Sequence, residues 1–383
     1  MIVDSVNPKI ITWARKQSRV SIEELAVRMK RNPEEIAKWE SGDDFPSLTC
    51  LEDLAYKHLK VPLAVFFFPE PPKIEKPENK LRRLPEYELS RFSVDTFLKL
   101  RLGMGYQNSL KELMADTESN KKIFEDLNVA DWTPKELAKK ARTYMEITMS
   151  KQFAFHSPEQ AFKFFRFVLE SNGVFTFKDS FIDRFVSGFC LMDKEYPIIM
   201  INNTTAFSRQ LFTLMHELGH ILYGVNGVTD VDESYIDKMS DYDRDLEIRC
   251  NRFAAEVLVP EEQFKKDIHN IRVIDEDVIA EIAEKYSVSR EVILRRMLDY
   301  NRVTNEYYNI KSQEWNSDYL RNKKNVKGGG DYYLTRLSYI GEGFAALAFH
   351  NYYSQRISKV DLASHLNIKA KNIDKIESYL RQR

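Results

Sequence analysis

The sequence predicts a multidomain protein: an all-α unit first, an α+β core with a small sheet next, and a C-terminal helical region last. Three observations carry this. A chain of 383 residues exceeds the roughly 100–200 residues of one ordinary domain. Apolar residues recur at helical spacing through the first seventy positions. In the middle of the chain, three short runs rich in β-branched and aromatic residues break that period. The expected boundaries are 1–68 for the first unit, 69–150 for a proline-containing linker and helical lead-in, 151–305 for the core, and 306–383 for the final helices.

Ile10, Ile11, Trp13 and Ala14 line one side of a first helix, and Ile22, Leu25, Ala26 and Met29 line a second. Ser21 stands at the head of the second with Glu24 three residues on, the spacing of a capping box. Asn32, Pro33 and Glu35 repeat the device for a third helix, with proline at its first position. Gly42 ends it, and Pro46-Ser47 leads into a fourth through Leu48, Leu51, Leu54 and Ala55. A short fifth is expected over Val61–Phe68. Four prolines between Pro69 and Pro77 read as a semi-rigid linker, and 80–170 reads as mostly helical. Strands are expected over Gly173–Phe177, Phe185–Met192 and Pro197–Asn202. Helices follow from Thr204 to Tyr223 and from Asp243 to Val259, where Pro260 stops the second, and two more flank the Ser287-Val-Ser289 turn. After a polar stretch, Gly328–Gly330 marks a hinge, and 333–383 is helical again.

Composition narrows the class. Hydrophobic residues make up 43% and aromatics 12%, enough for packed cores. Lys+Arg 57 against Asp+Glu 58 leaves a charge of −1, which excludes a strongly basic nucleic-acid binder. No apolar run approaches the roughly 20 residues of a membrane span, and the first dozen residues lack the pattern of a signal peptide. Cys50, Cys190 and Cys250 form no CxxC pair, which points to a reduced compartment and a cytoplasmic protein.

The chemistry concentrates in Phe212-Thr-Leu-Met-His216-Glu217-Leu-Gly-His220-Ile-Leu-Tyr223. The HExxH spacing puts His216 and His220 one turn apart on one helix face, where two imidazoles can converge on one metal ion. Glu217 is the next residue round, placed to take a proton from a water that zinc has acidified. Phe207, Leu211, Leu214, Leu218 and Ile221 supply a buried side. The bland alternative is a chance match whose histidines are satisfied by core hydrogen bonds. A catalytic zinc needs a third protein ligand and an open position. Glu247 is the candidate, with Asn251 four residues on to hydrogen-bond a ligand from behind; Asp245 and Glu256 are its rivals. Asp230, Asp232, Glu233, Asp237, Asp241 and Asp243 read as a solvated acidic loop.

The ordered set Pro197-Ile-Ile-Met-Ile-Asn-Asn203, His216–His220, Glu247-x-x-x-Asn251-x-Phe253-Ala254 and Leu258-x-Pro260 resembles the ImmA/IrrE family of metallopeptidases over about 150–305. The resemblance implies a zincin-like core in which His216, His220 and Glu247 bind one zinc and Glu217 is the catalytic base. It further implies cleavage of helix-turn-helix repressors that control mobile-element or stress genes. Cys250 departs from the alanine usual there, either as a small buried thiol or as a redox-sensitive one.

Residues 9–68 resemble a Cro/repressor-type helix-turn-helix domain through Ser21–Ala26, Ile36-x-x-Trp39-Glu40-x-Gly42 and Leu51-x-x-Leu54-Ala55. Residues 1–68 nonetheless hold ten Lys+Arg and ten Asp+Glu, where DNA readers usually present a basic face. Arg28, Arg31 and Lys38 are the candidates for contact with DNA or with a protein partner. Asp275–Thr304 also reads as a helix-turn-helix, better taken as a structural helical pair closing the core. The expectation is therefore a zinc endopeptidase acting on a repressor or cognate partner. The alternatives are a DNA-binding regulator with a vestigial site, or half of a toxin–antitoxin or phage-defence pair.

Overall fold

The structure is a computed structural model and describes residues 3, 5–18, 20–59, 61, 63–72, 92–115, 122–127, 132–183, 185–230, 239–323 and 331–382. The linker expected over Pro69–Pro77 falls partly outside these residues, and the Gly328–Gly330 hinge wholly so. The chain divides into two compact units, 1–102 and 103–383.

The first unit is helical, and its caps show why. Asn7 accepts from Lys9 N at the head of α1 (Pro8–Gln17), with Pro8 leading. Ser21 accepts from Glu24 N to start α2 (Ile22–Met29). Glu24 pairs with Arg28 at 2.5 Å, so the capping box expected there is only half made. Asn32 accepts from Glu34 N at α3 (Pro33–Ser41), and Gly42 closes that helix. From the Ser47 cap, α4 (Leu48–Glu52) runs on into a wider helical turn, Asp53–Leu59, and a tighter one, Leu63–Phe67. Ile10, Ile11, Leu25, Ile36, Trp39, Leu54 and Phe66 make one core. Phe66 is buried in it, while Phe67 and Phe68 are exposed.

Helix α5 (Val94–Leu113) precedes α6 (Ile123–Asp126), α7 (Pro134–Tyr144), α8 (Met149–Phe153) and α9 (Pro158–Ser171). The second unit is built on a sheet of β1 (Phe175–Asp179), β2 (Val186–Leu191), β3 (Ile198–Asn202) and β4 (Gly227–Asp230), in the order β1-β3-β2-β4. β1 runs parallel to β3, and β2 runs antiparallel to both β3 and β4. Every residue of β2 and β3 is buried, as befits central strands covered on both faces. Helix α10 (Phe207–Leu222) lies on β2, β3 and β4 and packs against α9 and α11 (Asp241–Leu258). Next come α12 (Glu261–Ile268), α13 (Glu276–Tyr286), α14 (Arg290–Asp299) and α15 (Asn305–Lys323). The chain ends in α16 (Tyr332–Ile340), α17 (Glu342–Tyr353), α18 (Lys359–His365) and α19 (Ile373–Arg381). α16 lies against β1. Buried Arg166 fastens it there, donating to Ser338 O at 2.7 Å and Tyr339 O at 3.3 Å, and also to Thr176 O.

Several expectations change. Strand β4 was not foreseen. The polar stretch after the core is helix α15, and a helix resumes at Glu261 directly after Pro260. α11 begins at Asp241, because Ser240 caps it by accepting from Asp243 N. Asp241 and Asp243 thus belong to a helix's first turn, where carboxylates face the positive end of the helix dipole, and not to a loop. Asp230 ends β4, while Asp232, Glu233 and Asp237 lie outside the described residues. Among the described residues no helix is long and apolar enough to cross a membrane.

Candidate metal centre

Helix α10 is held by its apolar side, Leu211, Leu214, Leu218 and Ile221, all fully buried. That fixes the direction of the opposite edge. His216 Nε2 and His220 Nε2 lie 3.0 Å apart. From α11, Glu247 places one carboxylate oxygen 3.2 Å from His216 Nε2 and the other 3.2 Å from His220 Nε2. All three side chains are buried, and among the described residues this is the one cluster of three such groups close enough to share an ion. Two ring nitrogens and a carboxylate converging on one point form a donor set suited to zinc.

The surroundings favour that role. Asn251 Oδ1 sits 2.8 Å from His216 Nδ1; an oxygen there requires the proton on Nδ1 and leaves the Nε2 lone pair facing the cluster. Burial pushes the Glu247 carboxyl up, but His220 and His216 outweigh it and hold the group well below the usual carboxylate range. Glu217 is fully buried. Its Oε1 accepts from the Thr229 hydroxyl of β4, and its Oε2 has no hydrogen-bond partner among the described residues. β4 also presses on His220: a Cβ added at Gly227 would stand 2.5 Å from the ring's Cδ2. Burial pushes the Cys250 thiol up, which describes a small inert thiol better than a redox-sensitive one.

The structure therefore brings His216, His220, Glu247 and Asn251 together, with Glu217 buried beside them on the same helix and held by Thr229. It separates the rival ligands from them. Asp245 is exposed on the helix, and Glu256 is engaged by Arg296 at 2.7 Å. In the first unit, Arg31 pairs with Glu35 at 2.8 Å and Arg28 with Glu24. Lys38 is exposed, with no acidic partner among the described residues. Two residues of the site were missed from sequence, Gly227 and Thr229. The signal was faint: a β-branched pair, Val228-Thr229, between a glycine and an aspartate.

Residues 169–298 match the family model described as the IrrE N-terminal-like domain, a peptidase family. That span holds the whole sheet, both helices of the cluster and α12 to α14, short of α14's last residue. The chain is also similar to the radiation response metalloprotease IrrE of Deinococcus radiodurans, at 30% identity over 113 residues. The aligned stretch is 29% of this chain and spans about a third, 34%, of that relative's length.

Proposed function

We propose, from the IrrE-like span and the geometry inside it, that this protein is a zinc-dependent endopeptidase. One observation carries the reading: two imidazole nitrogens 3.0 Å apart, each 3.2 Å from an oxygen of one buried carboxylate. His216, His220 and Glu247 would hold the ion. When bound, zinc supplies a Lewis acid that brings the pKa of water to about 7 and polarises a carbonyl. The chain's own groups do the rest. Asn251 keeps His216 in the ligating tautomer. Glu217 Oε2, the carboxylate oxygen left open, receives a proton as water attacks the peptide carbonyl and then passes it to the departing amine. Thr229 holds the other oxygen so that this one stays aimed.

The substrate we infer is a helix-turn-helix repressor or cognate partner protein, with the first unit positioning it. Residues 1–68 are charge-neutral, and Arg28 and Arg31 pair with neighbouring glutamates, which weakens the case for a basic face that neutralises phosphates. Contact with DNA would fall to exposed lysines such as Lys30 and Lys38. Three unpaired, buried cysteines suit the cytoplasm. The test is incubation of the zinc-loaded protein with the products of neighbouring genes. A defined cleavage that Glu217→Gln abolishes while retaining zinc supports the reading, with turnover lowered by about 10²–10⁴-fold. Equal cleavage by the variant overturns it. A zinc-free protein that binds one operator tightly would instead favour a DNA-binding regulator with a vestigial site.

A further inference from the structure

We propose that a cavity beside the metal cluster is a subsite for an acidic side chain of the substrate; this rests on the peptidase reading above. The cavity has a volume of about 500 Å³ and lies among α10, α11 and α14, within the range of pockets that hold a side chain and its neighbours. Asn251 ties it to the chemistry, since the residue that meets His216 Nδ1 at 2.8 Å also lines the cavity. Phe212, one turn before His216 on the same helix, lines it too. A peptide lying across the cluster therefore meets the cavity a single side chain away.

The lining has a definite chemistry. Among the described residues Arg209, Arg252, Arg295 and Arg296 line it together with two acids, Glu291 and Asp299. Both acids are engaged: Asp299 lies 3.6 Å from Arg295, and Glu291 accepts from the Ser312 hydroxyl at 2.8 Å. Arg252 is exposed and makes no ion pair among the described residues. Arg296 is 94% buried and binds Glu256 at 2.7 Å, and its Nε has no acceptor among the described residues. The exposed Arg252 guanidinium is the group an incoming carboxylate can reach, and Arg296 adds positive charge to the lining. Phe212 and Ile248 are partly buried and give the aliphatic stem of a glutamate something to lie on. Glu291 and Asp299 at the same site would repel a polyanion, so the cavity suits one carboxylate on a peptide and not a nucleic acid.

The test uses full-length, zinc-loaded protein carrying Glu217→Gln, so that bound peptide is not turned over. Fluorescein-labelled nonapeptide libraries, randomised over neutral residues around a central Glu, Gln or Lys, are titrated by anisotropy. The Glu library should bind about tenfold more tightly than the Gln library, as one charge-assisted hydrogen bond allows. The gap should narrow with salt, close in Arg252→Gln, and turn toward Lys in Arg252→Glu. Equal affinities for Glu and Gln, or a Glu preference untouched by Arg252→Glu, overturn the subsite. The same libraries are then given to the wild-type enzyme. No cleavage of any library, with the Glu preference in binding intact, sinks the peptidase reading alone. Cleavage with no preference for Glu sinks the subsite alone.

Discussion

Gly227→Ala puts one methyl group where the structure leaves no room for it. Gly227 opens β4 and pairs with Cys190 of β2. The added carbon would lie 2.5, 2.6 and 2.8 Å from Cδ2, Cγ and Nε2 of His220. Carbon contacts become comfortable near about 3.5 Å, so the ring or the strand must retreat by roughly 1 Å. The ring is 1% exposed and belongs to a helix packed on both the sheet and α11, so it cannot swing into solvent. Overpacking of this kind costs about 1–3 kcal/mol of stability. Displacing a ligand by disturbing its support costs about 10–100-fold in metal affinity. Both are measurable: zinc affinity by competition with a chelator of known strength, and melting of the metal-free protein. Gly105→Ala, where the added Cβ has nothing within 4 Å, is the control and should leave zinc affinity alone. A Gly227→Ala protein with wild-type zinc affinity and melting temperature would refute the argument that β4 fixes His220.

The other expectations are quickly stated. Glu247→Ala should strip most of the zinc as read by metal analysis, while Asp245→Ala and Glu256→Ala should keep about one ion per chain, as the single donor cluster requires. Thr229→Val removes the hydroxyl that holds Glu217, and kcat should fall by about tenfold with zinc content unchanged. Lys178 is 2% exposed between the rings of Phe162 and Phe207, and burial, then Arg166, pushes its amine down to about 7 from 10.5. Between those values the unfolded chain binds the extra proton, so stability rises with pH across the window. Lys178→Met should therefore raise the melting temperature most at pH 6 and least at pH 10. Deleting residues 1–68 should slow cleavage of the physiological protein while sparing a short peptide with the same scissile bond; nanomolar, salt-sensitive binding of the intact protein to one operator, lost in Arg31→Ala and Lys38→Ala, would refute the docking role.

Much of this site was legible because one helical turn fixes the relation of His216 to His220, and four residues fix that of Glu247 to Asn251. Local periodicity also placed α1 to α4, the first three strands, and the pair α13 and α14. What escaped was set by tertiary contact. β4 is four residues long and carries a glycine and an aspartate, both poor strand formers; pairing with β2 and packing on α10 make it a strand. Glu24 had the spacing to close a capping box, but an arginine four residues on was an equally good partner. The choice among Glu247, Asp245 and Glu256 was likewise a question of which helix face turns inward. Packing decides that, with Glu247 on the buried side and Arg296 already holding Glu256.

Arg166 has a consequence for the order in which this protein is made. Its guanidinium bonds to Thr176 O within the sheet and to Ser338 O and Tyr339 O near the end of the chain. Until residues 338 and 339 have left the ribosome, a buried cation beside β1 lacks two of its acceptors, and α16 is not yet in place on that strand. His216, His220 and Glu247 are all synthesised about ninety positions earlier or more, and the strands precede Glu247, yet the helix that covers β1 follows only after that interval. At the usual 5–20 residues per second, that interval is roughly 4–18 seconds. A nascent chain thus carries His216, His220 and Glu247 before α16 and the carbonyl acceptors of Arg166 are in place beside β1.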